Sequence, residues 1–205
     1  MSPRPYDLGR RAGVIEQTRQ RILAATRELL VRNGYRSTSL DEVARAADVA
    51  RATVYYQFGS KTGLLEALVG DVERRAGQAA VVDAVELADP VDALRQAFLA
   101  GCRFWAAEHP VVRRLTGLAA MDNEIKRVIA EVQGHRLPLL TELVQRLDAA
   151  GRLSPSVSAS RALDILWMLS SFEAFDQLFA DRQLPVEEIA DVLADVAVRA
   201  ILRDT

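Results

Sequence analysis

The chain has 205 residues, half of them hydrophobic, and its one cysteine (Cys102) and two histidines (His109, His135) are too few for an internal disulfide or a structural zinc site. No apolar run approaches the roughly 20 residues of a membrane span, and the N-terminus mixes Pro, Arg and Tyr where a signal peptide places an apolar stretch, so a cytoplasmic protein is expected. The net charge of −2 hides an asymmetry: residues 1–62 carry 11 Lys and Arg against 6 Asp and Glu, while residues 63–205 carry 15 against 22. Such a split fits a nucleic-acid-binding head on an acidic body, the alternative being a drift of surface charge.

Residues 1–14 contain Arg4, Arg10 and Arg11 among Pro and Gly without an apolar stripe, and are expected to form a flexible basic arm. Such an arm either follows DNA or is simply a solvated tail. From Ile15, apolar and small positions recur on one stripe through Leu30, and Asn33-Gly34 is a stop signal, which predicts helix 1. Ser39 with Glu42 three residues later is a capping box that opens a short helix to Ala47. A second short helix follows over about Arg51–Gln57. A longer one is predicted from beyond Ser60 to about Val82, joining head to body and carrying Gly63, Gly70 and Gly77 as places where it could yield.

Asp89-Pro90 predicts the start of a helix through Phe98, Cys102 and Trp105 to His109-Pro110, followed by a short helix over 111–120. His109 is expected to cap that helix end, the alternative being a polar group that orients a ligand. The segment 123–150 is helical in pattern with a kink expected near Gly134–Pro138. Two final helices are predicted over 159–180 and 186–203. The first is apolar almost all round, interrupted by Glu173 and Asp176, which could meet a cationic ligand or pair with arginines. The fold class is therefore all-α, about nine helices, with no convincing strand.

Two short helices about Asp48-Val49-Ala50 have helix-turn-helix spacing. Thr38-Ser39-Leu40-Asp41-Glu42-Val43-Ala44, Ala47-Asp48-Val49, Thr53-Val54-Tyr55-Tyr56-Gln57-Phe58 and Ser60-Lys61 together closely resemble the tetracycline-repressor (TetR) family over about residues 15–70. The resemblance implies a helix-turn-helix head over 15–62 and a ligand-binding and dimerisation body over 63–205. It also implies that Arg51, Ala52 and Thr53 open the recognition helix, with Arg51 as the base reader. Tyr55, Gln57 and Lys61 would follow one phosphate strand and Thr38 or Ser39 the other. Tyr56 is divided between phosphate contact and packing, and Phe58 is assigned to the core. Two departures stand out: Asp48 occupies a turn position usually held by glycine, and Ala50 the usual hydroxyl cap.

In the body, the resemblance makes Phe98, Cys102, Trp105, Met121, Leu140, Trp167, Met168 and Phe172 candidates for the wall of a cavity holding an unidentified, mainly apolar small molecule; for the stripe Phe98-Cys102-Trp105, plain core is the alternative. Leu166, Leu169, Phe175, Ile189, Leu193, Val196 and Ala200 are candidates for a homodimer interface. No nucleophile with an adjacent base, metal-ligand spacing or Gly-rich phosphate loop occurs, so neither catalysis nor a cofactor is expected. The function these features imply is a repressor released from near-palindromic double-stranded operator DNA by a ligand. The alternative is a DNA-binding or assembly protein that responds to no ligand.

Overall fold

The computed structural model describes residues 5–75 and 77–203, with side chains for residues 13–75 and 79–203. Its helices are α1 (Pro5–Asn33), α2 (Leu40–Ala46), α3 (Arg51–Phe58), α4 (Lys61–Arg75), α5 (Gln78–Val85), α6 (Pro90–Ala119), α7 (Asn123–Gly134), α8 (Arg136–Ala149), α9 (Ala159–Leu169), α10 (Phe172–Asp176) and α11 (Val186–Ile201). A single π-helical turn, Gln177–Asp181, follows α10. The described residues form no strand, only one isolated bridge between Leu153 and Leu202. The chain divides into two compact units, residues 1–71 with 113–129, and residues 72–112 with 130–205.

Several predicted boundaries move. α1 begins at Pro5, ten residues ahead of the predicted start, so residues 5–14 belong to a helix where a flexible arm was expected; residues 1–4 lie outside the described residues. Proline is tolerated in the first helical turn because its missing N–H has no intrahelical partner there. The predicted helix to Val82 instead breaks at Gly77, whose φ of 85° is left-handed, and resumes as α5. Pro110 does not end a helix: α6 runs through it to Ala119. Interior proline removes one hydrogen bond, yet Cys102, Val111 and Leu115 on either side are buried, and their packing outweighs that loss. The kink expected near 134–138 is a break between α7 and α8, with Pro138 in the first turn of α8. The predicted helix over 159–180 divides at Ser170-Ser171, because Ser171 adopts extended backbone and accepts a hydrogen bond from the Ala174 amide, starting α10 afresh.

The first unit is organised around Ile22, Leu23 and Leu30 of α1, Val43 of α2, Val54 of α3 and Leu65 and Leu68 of α4, all buried. Burying each such side chain is worth about 1.5–3 kcal/mol. Two polar links tie the later segment of this unit to it: Thr62 Oγ1 donates to Glu124 (2.8 Å), and Arg114 Nε donates to the Val31 carbonyl (3.2 Å). In the second unit, one apolar cluster joins Leu94, Phe98 and Cys102 of α6, Leu143 and Leu147 of α8, Leu166 of α9, Phe172 and Phe175 of α10, and Ile189 and Leu193 of α11. Arg146 adds a polar tie by donating to the carbonyls of Val85 and Leu87 at the end of α5.

Candidate nucleic-acid interface

The start of α2 is locked by a reciprocal cap. Ser39 Oγ accepts from the Glu42 amide (3.2 Å) and the Ser39 amide donates to Glu42 Oε2 (2.8 Å). These hydrogen bonds, the backbone one first, hold the Glu42 carboxyl below its usual range. α2 ends on a turn in which Asp48 has φ 51°, the left-handed conformation expected of the residue standing in for glycine. Arg21, on α1, donates to the carbonyls of Ala47 (2.5 Å) and Asp48 (2.8 Å) and lies 3.5 Å from the Asp48 carboxylate. That cation at the C-terminal end of α2 went unnoticed in the sequence; an arginine on the helix preceding the turn was its only signal.

α3 enters from Ala50, which has extended backbone (φ −67°, ψ 144°) and no side-chain cap, as expected. Val54 is buried against the first unit's core, and Arg51, Ala52, Tyr55 and Tyr56 are exposed, while Thr53 and Gln57 are half-buried. Tyr56, 88% exposed, is no part of the core, and Tyr55 is 41% exposed. Arg51 is held in place by two neighbours: Nε lies 2.9 Å from Asp41 Oδ1 and Nη2 donates to the Tyr55 hydroxyl (3.2 Å), with the guanidinium 5.3 Å above the Tyr55 ring. The Tyr55 hydrogen bond and, after it, the Asp41 charge raise its pKa further.

The phosphate candidates differ in availability. Thr38 is buried and its hydroxyl donates to the Gly34 carbonyl (2.8 Å), so of the pair Thr38 and Ser39 only Ser39 presents a surface. Lys61 Nζ sits 4.3 Å above the Tyr35 ring and donates to the Arg36 carbonyl (3.4 Å), and burial lowers its pKa. Phe58, assigned to the core, is half-buried, with the Arg19 guanidinium 4.7 Å over its ring.

The candidate ligand wall is brought together in part. Phe98, Cys102 and Phe172 share the buried cluster of the second unit, and Trp105 and Leu140 pack against it, half-buried. Burial pushes the Cys102 thiol up to about 12. Trp167 is half-buried beside Arg136, whose guanidinium lies 4.4 Å from its ring. Met168 is 61% exposed, and Met121 belongs to the first unit, where it is 73% exposed at the turn after α6; neither joins that cluster. His109 is not a helix cap: it lies inside α6, its Nε2 is 2.6 Å from Asp176 Oδ1, and its ring sits 4.8 Å from Phe179. Glu173 instead acts through its charge on Arg136.

The dimer candidates divide as well. Leu166, Phe175, Ile189 and Leu193 are consumed by the chain's own core and cannot face a partner. Leu169 is half-buried, while Val196 (47% exposed) and Ala200 remain on the surface of α11.

Comparison with known proteins places this geometry. The family model "Bacterial regulatory proteins, tetR family" matches residues 22–68, which contain the capped α2, the Asp48 turn and α3. The uncharacterized HTH-type transcriptional regulator YvkB of Bacillus subtilis is 43% identical over 60 residues, 29% of this chain and 32% of its own. The HTH-type transcriptional regulator AlkX of Mycobacterium tuberculosis is 33% identical over 144 residues, 67% of this chain and 61% of its own. The chain thus spans from about a third to three-fifths of these two relatives. The crystal structure of NalD, the secondary repressor of the MexAB-OprM multidrug efflux pump in Pseudomonas aeruginosa, superposes with a TM-score of 0.72 at 27% identity, covering 93% of this chain and 98% of NalD. With an all-α fold shared along its length and a matching helix-turn-helix, the chain belongs to the tetR family of bacterial regulatory proteins.

Proposed function

We propose that the chain is a cytoplasmic, homodimeric repressor that binds a near-palindromic operator through α3 and is released by a mainly apolar small molecule bound in the second unit. The observation that carries this reading is the exposed first turn of α3, where Arg51 stands oriented by Asp41 and Tyr55 on a helix anchored by buried Val54. A guanidinium there can take guanine O6 and N7 in two parallel hydrogen bonds. Tyr55, Tyr56 and Ser39 supply exposed hydroxyls for phosphates, and Lys61 adds positive charge close by. Dimerisation would use the surface stripe of Val192, Val196 and Ala200 on α11 together with Met168 of α9. Among the described residues no helix is long and apolar enough to cross a membrane.

Two heads in successive major grooves require half-sites about 34–36 Å apart. Selection from random duplex by the full chain at physiological salt should return such a palindrome. Arg51→Ala should then cost about 1–3 kcal/mol and relax one base position in each half-site. Recovery of no preferred sequence would sink the reading.

A further inference from the structure

The second unit holds a cation whose partners are all neutral. Arg136, the first residue of α8, donates through Nη1 to the Ser170 carbonyl (2.6 Å) and to Ser170 Oγ (3.2 Å). Trp105 Nε1 donates to the same carbonyl (3.2 Å), and the Trp167 ring lies 4.4 Å from the guanidinium. Among the described residues no carboxylate comes within ion-pairing distance of Arg136; Glu173 is felt only through its charge. The Nε atom is buried and has no hydrogen-bond partner. Nη2 makes no hydrogen bond to a described residue either. Burial lowers the Arg136 pKa to about 10, so the group is still charged at neutral pH.

A buried charge without an opposite charge is costly, and an unpaired N–H adds to that cost. Nε and Nη2 form the side edge of a guanidinium, the edge that takes a carboxylate in two parallel hydrogen bonds. Trp167 lies over this guanidinium and Trp105 shares the Ser170 carbonyl with it, with Leu140 one turn along α8 and Phe172 5.6 Å from Trp105.

We propose that Arg136, flanked by Trp105 and Trp167, anchors the carboxylate of an apolar organic acid whose body lies against Leu140 and Phe172. This rests on the reading that the second unit takes a small molecule, and it supplies that molecule's chemical class. A purely structural Arg136, tying α8 to the break between α9 and α10, is the competing explanation.

The chain's only two tryptophans both lie at this place, so their emission reports on it directly. Octanoate and octanamide, and 3-phenylpropanoate and its amide, would be titrated into the full chain at neutral pH. At least one acid should give a saturable change with an affinity about tenfold or more above that of its amide, as a charge-assisted hydrogen-bond pair implies. Arg136→Gln should abolish that preference for the acid while leaving the amide unchanged. The two acids distinguish an aliphatic from an aryl body.

No saturable change with either acid, equal affinities for acid and amide, or an unaltered acid affinity in a folded Arg136→Gln protein would each overturn the proposal. Should that variant fail to fold, the acid-to-amide ratio in the unaltered protein decides. Release of operator is read separately by gel shift. Acid binding that leaves DNA bound upholds the site and defeats ligand release, whereas release by amide and acid alike, undiminished in Arg136→Gln, defeats the anchor and retains ligand release.

Discussion

Ala50→Ser should stabilise the free protein by supplying α3 with the side-chain cap it lacks. Three serines in the same chain show what the substitution would do. Ser39 (φ −98°, ψ 157°), Ser158 (−69°, 154°) and Ser171 (−72°, 156°) each accept a hydrogen bond from the amide three residues on. Ala50, at φ −67° and ψ 144°, already has the backbone of Ser158 and Ser171, so a hydroxyl there would meet the Thr53 amide without rearrangement. Replacing a good N-cap by alanine costs about 0.5–2 kcal/mol, which bounds the gain from the reverse change. Two features place it at the lower end: position 50 is exposed, and the Thr53 amide already donates to the Ala50 carbonyl (2.9 Å). The expected gain is about 0.5–1 kcal/mol.

For a chain of this length each kilocalorie moves the thermal midpoint by about 2–4 °C, so a rise of about 1–4 °C is expected. Circular dichroism melts of the DNA-free protein measure it, with Ala50→Gly as a control that alters backbone freedom but adds no acceptor. A serine midpoint no higher than that of the alanine protein would refute the reasoning and show that the Thr53 amide is already satisfied.

Gly70→Ala should raise the melting midpoint by up to about 1 kcal/mol of stability, because an added Cβ meets nothing within 4 Å on a helical backbone. Gly77→Ala should lower it, since φ of 85° costs an L-residue about 1–2 kcal/mol; equal signs for the two variants would defeat this account. Asp71 is buried and 3.7 Å from Arg27, so Asp71→Asn is expected to lose about 3 kcal/mol in urea unfolding, and a loss under about 1 kcal/mol would class the pair with surface bridges. Because the Glu42 carboxyl is depressed in the folded state, its stabilisation is present above the ordinary carboxyl range and is lost as pH falls through the folded value. The advantage of the unaltered protein over Glu42→Gln should therefore shrink on acidification, and a pH-independent difference in melting would contradict it.

The local signals were the legible ones. The Ser39–Glu42 box, the stop at Gly34, the left-handed Asp48 and the Asp89 cap, which accepts from the Val91 and Asp92 amides, each depend on residues within a few positions of one another. What the sequence concealed depends on contacts made far along the chain. Periodicity marks Leu166, Phe175, Ile189 and Leu193 as apolar faces but does not say whether the chain itself or a second copy covers them, and the chain covers them itself. His109 read as a helix end because Pro110 follows it; its partner Asp176 lies 67 residues away. Ser171 carried a cap signal within an apolar run, and the run obscured it. The candidate base readers are intermediate: the exposure of Arg51 and Ala52 followed from the motif, but the half-burial of Thr53 and the hold of Asp41 on Arg51 did not.

That hold bears on how α3 would read DNA. In the free protein the Arg51 guanidinium is shared between Asp41 and Tyr55, and both it and the Asp41 carboxylate are largely solvent-exposed. An exposed ion pair is worth about 0–1 kcal/mol, whereas a two-point arginine–guanine contact is worth about 1–3 kcal/mol, so the base wins the arginine whenever the right one is presented. Without that base the pair persists and its two charges offset each other, whereas on the operator the Asp41 carboxylate is left unpaired beside the DNA backbone. Asp41→Asn should therefore strengthen binding to the selected operator more than binding to random duplex, widening the ratio between them. Competition gel shifts at fixed salt measure that ratio, and if both affinities rose by the same factor, Asp41 would act through its charge alone and not through its hold on Arg51.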